Sequence, residues 1–160
     1  MIDAVALRLA EDLKKRGLVL ATAESCTGGW AAQAMTAIAG SSDWFERGFV
    51  TYSNDAKQEM LGVTPATLQS RGAVSEETAR EMALGALQRS KADVALAVTG
   101  VAGPTGGSDA KPVGTVCFAW ATKNGEVRAE TRRFAGDRDS VRRQSVVRAL
   151  EGVLEVLAGG

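Results

Sequence analysis

The chain has 160 residues, of which 45% are hydrophobic and only 3 are prolines, so residues 1–160 can form one globular domain with a substantial core. Nineteen basic and nineteen acidic residues cancel, which argues against a nucleic acid or an anionic membrane as partner. No apolar run approaches the roughly 20 residues that a membrane-spanning helix needs.

Hydrophobic spacing and helix-boundary residues predict eleven elements. In chain order they are helix 2–16, strand 18–23, helix 30–38, strand 45–53, helix 55–61, helix 65–70, helix 75–90, strand 92–100, strand 113–122, strand 126–135 and helix 138–157. Alternating units followed by a hairpin predict a layered α/β fold, a mixed β-sheet covered by helices in a single domain.

Several boundaries have specific signals. Gly17 ends the first helix, and Asn54 is the predicted N-cap of the helix over 55–61, with Lys57 at its third position. Asn124 and Gly125 favour a type I′ hairpin between the last two strands. Ligands of such sheets bind where strands end and glycine-rich loops begin, so segments 23–29 and 99–108 are the expected walls of a site.

The segment ATAESCTGG places Ser25 and Cys26 at the end of a strand and before a helix. Free backbone N–H groups at Thr27, Gly28 and Gly29 could surround a developing negative oxygen or a phosphate there. Either Ser25 or Cys26 could be a nucleophile, or the small residues could only turn the chain. The two cysteines show no CxxC spacing, which argues against a zinc site or a disulfide and suits a cytoplasmic protein.

The chain contains no histidine, so a base for that nucleophile must be a residue of another type. Lys57 is a candidate, since a cation near a helix N-terminus is disfavoured and a desolvated amine can accept a proton. Tyr52, the only tyrosine, could relay or orient that proton. The alternatives are a surface lysine and a half-buried strand tyrosine.

The loop over 100–114 contains five glycines and two prolines, and its backbone can approach a ligand closely. Thr99 and Thr105 offer hydroxyl donors next to it. Residues 123–148 hold eight basic and four acidic residues. This charge pattern predicts that most of the segment is a solvated helix face, and one or two of its arginines are candidates for contact with an anion.

Four segments in the same order, AESCTGG, GFVTYSNDAK, GAVSEETA and VTGVAGPTGG, resemble the C-terminal domain family of CinA, the competence/damage-inducible protein. The resemblance covers nearly the whole chain. It implies metal-free and cofactor-free hydrolysis of nicotinamide mononucleotide, a small-molecule nucleotide substrate, to nicotinic acid mononucleotide and ammonia. Because the nucleotide-processing domain of full-length CinA is not present in these residues, only the amidase reaction is expected.

The resemblance also implies roles for individual residues and a homo-oligomeric state. Ser25, Tyr52 and Lys57 match the proposed catalytic group of the family. The expected substrate-binding residues lie in the turn after Ser25, in the glycine loop and at the start of the last helix: Cys26, Thr27, Gly28, Gly29, Thr99, Gly100, Gly103, Thr105, Arg138 and Arg142. A non-catalytic domain that binds a nucleotide or a partner is the alternative.

Overall fold

Five strands form one mixed sheet in the computed structural model, which describes residues 1–159. The strands are β1 (Leu20–Glu24), β2 (Phe45–Val50), β3 (Val94–Gly100), β4 (Thr115–Thr122) and β5 (Val127–Arg133). Their order across the sheet is β2-β1-β3-β4-β5, with β1 parallel to both neighbours and the β4–β5 hairpin antiparallel. The predicted layered α/β fold is therefore confirmed.

Within the described residues, six α-helices cover the two faces of this sheet, and a short 3₁₀ turn spans Ser41–Asp43. They are α1 (Ile2–Arg16), α2 (Trp30–Thr36), α3 (Asn54–Leu61), α4 (Pro65–Arg71), α5 (Glu76–Gln88) and α6 (Arg138–Gly159). Helices α1, α2 and α6 pack on one face, whereas α5 packs on the other with α3 and α4 beside it. No helix within residues 1–159 is long and apolar enough to cross a membrane.

The two faces of the sheet differ in side-chain size. Leu96, Phe118 and Trp120 point into the core beneath α1 and α6. The opposite face presents small side chains to α5, namely Ala21, Ala23, Ala95, Ala97, Cys117, Ala119 and Ala121. Large residues fill the wider space, and alanines let α5 lie close to the strands.

Two boundaries differ from the sequence-based prediction near the site. Strand β2 ends at Val50, and Ser53 rather than Asn54 caps α3, because the Ser53 hydroxyl accepts a hydrogen bond from Ala56 N at 3.0 Å. Lys57 is therefore the fourth residue of that helix. The predicted type I′ hairpin is also wrong, since only Gly125 in that turn has a positive φ, 97°.

Candidate active site

The carboxyl ends of three parallel strands meet at one edge of the sheet. Glu24, the last residue of β1, pairs with Val50 on β2 and with Val98 on β3. Beyond that pairing, Ser25 N donates to Val98 O at 3.0 Å and Thr51 N donates to Glu24 O at 2.8 Å. Three segments therefore leave the sheet side by side: the serine turn (residues 25–29), the TYSNDAK segment (51–57) and the glycine loop (100–114).

Ser25 and Lys57 are in direct contact at this edge. The Lys57 Nζ atom lies 3.0 Å from Ser25 Oγ, and it donates to the carbonyl oxygens of Thr51 at 2.9 Å and Tyr52 at 3.0 Å. A neutral amine has two N–H donors and one lone pair. If the donors serve the two carbonyls, the lone pair faces the Ser25 hydroxyl and can accept its proton.

Burial makes the neutral form of Lys57 accessible. The side chain is 1% exposed, and desolvation lowers its pKa from 10.5 to about 8. Its hydrogen-bond partners within residues 1–159 are one hydroxyl and two carbonyls, none of which is negatively charged. The amine can therefore lose its proton near neutral pH, as a general base requires.

The turn after Ser25 is held by a carboxylate. Glu24 is 1% exposed, and its side chain accepts hydrogen bonds from Thr27 Oγ1 at 2.6 Å, Ala31 N at 2.8 Å and Ala32 N at 3.0 Å. These amides belong to the first turn of α2. They are not available to a substrate oxygen, so donors for such an oxygen must come from the turn itself.

That turn still offers unpaired backbone donors. Cys26 N–H, Thr27 N–H and Gly29 N–H form no hydrogen bond within residues 1–159, whereas Gly28 N donates to Ser25 O at 3.1 Å. Gly28 and Gly29 have φ values of 60° and 102°, which favour glycine at both positions. The segment therefore places unpaired N–H groups of consecutive residues next to Ser25.

Cys26 and Ser25 are adjacent and both buried, but among the described residues the Lys57 amine bonds to Ser25 and not to Cys26. Desolvation raises the pKa of the Cys26 thiol to about 12. The thiolate is the nucleophilic form of cysteine, so a thiol held protonated is a weak nucleophile. The environment favours Ser25 over Cys26.

Tyr52 contacts the pair through its backbone rather than its phenol. The side chain is 61% exposed, and its hydroxyl lies 3.3 Å from Arg138 Nη2. Arg138 Nη1 also donates to Gly103 O at 2.7 Å. Among the described residues the phenol forms no hydrogen bond to Ser25 or Lys57; with Arg138 it connects the loop after β2 to the glycine loop.

Arg142 reaches the serine turn from α6. Its Nε donates to Cys26 O at 3.0 Å and its Nη2 donates to Thr27 O at 3.2 Å. The guanidinium carbon lies 5.5 Å from the centre of the Trp30 ring. Both donors that this structure assigns to Arg142 are directed to the protein backbone.

The other predicted binding residues lie in or beside the glycine loop. Thr99 is buried, and its hydroxyl donates to Ala73 O at 2.9 Å. A Cβ at Gly100 would come within 2.9 Å of Thr115 O, and one at Gly103 would overlap Val113. Packing against the segment that leads into β4 therefore requires these two glycines. Thr105 is exposed.

The basic segment 123–148 divides into three environments. Arg138 and Arg142 lie at the site, several other arginines are exposed, and Arg148 is buried against Glu130 and Glu155. The prediction of a solvated helix face is wrong for Arg148.

Within residues 1–159 no three His, Cys, Asp or Glu side chains converge as a metal site.

Sequence reasoning did not assign functions to Glu24 or Thr51. The signal for Glu24 was an acidic residue directly between an apolar strand and a turn of small residues, where a carboxylate can bind the N–H groups of the next helix. Thr51 acts through its carbonyl, for which the side-chain identity gives no signal.

These features define a class of protein: an α/β domain with a buried serine–lysine pair at the carboxyl ends of parallel strands, next to a turn of free amides. The chain belongs to the CinA C-terminal domain family, whose family model matches residues 2–157. The family resemblance in the sequence is thereby confirmed.

Individual relatives match over almost their entire lengths. Nicotinamide-nucleotide amidohydrolase PncC from Escherichia coli strain K12 is 56% identical over 155 residues, covering 94% of each chain. The protein of the same name from Pseudomonas putida is 51% identical, covering 97% of this chain and 96% of its own. The crystal structure of competence/damage inducible protein CihA from Agrobacterium tumefaciens has 51% identity and a TM-score of 0.95, covering 98% of this chain and 95% of that one.

Proposed function

We propose that this chain is a nicotinamide-nucleotide amidohydrolase, with residues 1–160 forming one catalytic domain. It hydrolyses the carboxamide of nicotinamide mononucleotide to nicotinic acid mononucleotide and ammonia. The observation that carries the catalytic assignment is the 3.0 Å contact between Ser25 Oγ and the buried Lys57 Nζ. The names of the relatives at 56% and 51% identity support the substrate.

In the first half of the reaction, Ser25 Oγ attacks the carbon of the carboxamide while its proton passes to the neutral Lys57 amine. The carbonyl oxygen gains the negative charge and lies against the free N–H groups of Cys26 and Thr27. When the tetrahedral intermediate collapses, the C–N bond breaks. The proton on Lys57 moves to the departing nitrogen, which leaves as ammonia.

In the second half, the acyl group is an ester on Ser25. A water molecule attacks its carbonyl carbon, and Lys57 takes the proton from the water. Collapse of this second intermediate breaks the bond to Ser25 Oγ, which recovers a proton from Lys57. The product acid leaves, and the serine hydroxyl and neutral lysine are restored.

Substrate binding uses the surfaces around this pair. Arg138 is an exposed cation that contacts both the Tyr52 phenol and the glycine loop, and we assign it to the phosphate of the nucleotide. The Tyr52 phenol is then a binding group that, if substrate draws it inward, can relay the proton from Lys57 to the leaving nitrogen. Self-association of the chain is part of the same proposal, on the resemblance to the family.

Release of ammonia from nicotinamide mononucleotide, measured with a chelator present, tests this function. We expect turnover by the wild-type protein and by Cys26→Ala, and none by Ser25→Ala. An active Ser25→Ala variant together with a dead Cys26→Ala variant would transfer the nucleophile to the cysteine. If correctly folded wild-type protein binds the nucleotide but releases no ammonia, the chain is a binding domain instead.

A further inference from the structure

The carbonyl groups of Ser25, Cys26 and Thr27 all accept hydrogen bonds. Ser25 O accepts from Gly28 N at 3.1 Å, and Cys26 O accepts from Arg142 Nε at 3.0 Å. Thr27 O accepts from both Trp30 N at 3.1 Å and Arg142 Nη2 at 3.2 Å. Each of these three peptide planes therefore has a partner on its carbonyl side.

Fixing a carbonyl also fixes the N–H of the same peptide unit. A trans peptide bond is planar, and its C=O and N–H groups point in opposite directions. The bond from Arg142 to Cys26 O therefore directs Thr27 N–H away from the arginine, and Thr27 N–H has no other partner within residues 1–159. Its direction depends on a side chain of another helix.

The arginine is itself held in place. The guanidinium carbons of Arg142 and Arg143 both lie over the Trp30 ring, 5.5 Å and 5.1 Å from its centre. A planar guanidinium that stacks on an aromatic ring and binds two carbonyls has little freedom left. A cation bound to a carbonyl also polarises that amide, which strengthens the N–H at its other end as a donor.

We propose that Arg142 is a positioning residue for the hydrolysis, which orients and polarises the Thr27 N–H toward the oxyanion instead of binding the nucleotide phosphate. This inference rests on the proposed function, because it concerns the negative charge that forms when Ser25 attacks a carboxamide. It replaces the expectation from the sequence that Arg142 contacts substrate directly.

Arg142→Lys keeps a positive charge but cannot bind both carbonyls with fixed geometry. We expect kcat to fall by about 10²-fold, the scale of losing one oxyanion donor, with little change in KM. Arg142→Gln, which removes the charge as well, should lose at least as much kcat. Thermal melting of both variants shows whether they remain folded.

Binding of nicotinic acid mononucleotide, measured by calorimetry, separates positioning from phosphate recognition. The product carries the phosphate but forms no tetrahedral oxyanion, so Arg142→Lys and Arg142→Gln should bind it with nearly the wild-type Kd. A Kd weakened in parallel with activity would overturn the inference and make Arg142 a phosphate ligand. Arg138→Gln should show that phenotype.

Arg143→Lys is the matched control, because Arg143 stacks on the same ring but bonds only to the exposed Asp139. It should retain wild-type kcat. If wild-type protein and this control release ammonia while folded Arg142 variants match their kcat, the inference fails and the proposed function stands. If wild-type protein releases none, both fail together.

Discussion

Two buried cations of this protein have opposite environments. Arg148 is 8% exposed and binds Glu130 and Glu155, each at 2.7 Å, with its guanidinium carbon 5.3 Å from the centre of the Trp120 ring. Lys57 is 1% exposed and has only neutral partners. Burial alone therefore does not distinguish a structural cation from a functional one; the charge of its partners does.

The consequences for protonation are also opposite. Hydrogen bonds to Glu155 and Glu130 hold the pKa of Arg148 above its ordinary value, whereas desolvation lowers the pKa of Lys57 to about 8. An ion pair stabilises a fixed charge, while an unpaired buried amine carries a free-energy cost whenever it is protonated. The protein retains that cost at Lys57, whose amine contacts the hydroxyl of Ser25.

The largest effect should follow from giving Lys57 a permanent charge. Lys57→Arg keeps a cation that cannot lose its proton near neutral pH. We expect kcat/KM to fall by about 10³-fold, within the range for loss of a general base. Lys57→Met, which fits the buried site without a charge, should be equally inactive and remain folded in a thermal melt. Near-normal turnover by Lys57→Arg would remove lysine from the mechanism.

A smaller effect should follow from giving Lys57 the kind of partner that Arg148 has. Cys26 is close enough for a negative charge at its position to raise the pKa of Lys57, so the carboxylate of Cys26→Asp should raise that pKa. The pH profile of kcat/KM should move to more alkaline pH, because the fraction of neutral amine at a fixed pH falls about tenfold when the pKa rises by one. Cys26→Ala should keep the wild-type profile. An unmoved profile in the aspartate variant would contradict this account.

The smallest effect on catalysis should come from Arg148. Arg148→Met should lower the free energy of unfolding by about 2 kcal/mol, less than for a fully buried pair, because the Glu155 side chain is 55% exposed and can reach water. Its kcat should match wild type. Arg16→Met, which breaks an exposed pair with Asp12, should cost about 0.5 kcal/mol. Denaturant unfolding measures both, and a catalytic defect in Arg148→Met would erase the contrast.

The contrast between these cations was only partly visible in the sequence. Helical spacing predicted α6, but it could not show that Arg148 faces a strand carrying Glu130. The absence of histidine and the place of Lys57 near a helix start did point to an amine base. The structure brings Lys57 to Ser25, and their catalytic roles stay a prediction.

Other parts of the site depend on contacts that residue type does not encode. The carbonyls of Thr51 and Tyr52 orient Lys57, and any residue could supply them. The bonds from Arg142 to the serine turn join residues 116 and 115 positions apart, which no local pattern predicts. Local sequence signals predicted the helices and strands and the sheet edge where the site lies, whereas tertiary packing determined which residues bond to each other in the site.

The protonation state of Lys57 in the folded protein is the most direct test of this account. An NMR titration of lysine side chains labelled at the ε position should show one lysine with a pKa of about 8, assigned by its absence in Lys57→Met. From about 8 to 10.5 the unfolded chain would hold a proton that the folded protein does not, so wild-type stability should rise with pH relative to Lys57→Met. A Lys57 that titrates at 10.5 would contradict the account, because almost no neutral amine would then be present at neutral pH to take the proton of Ser25.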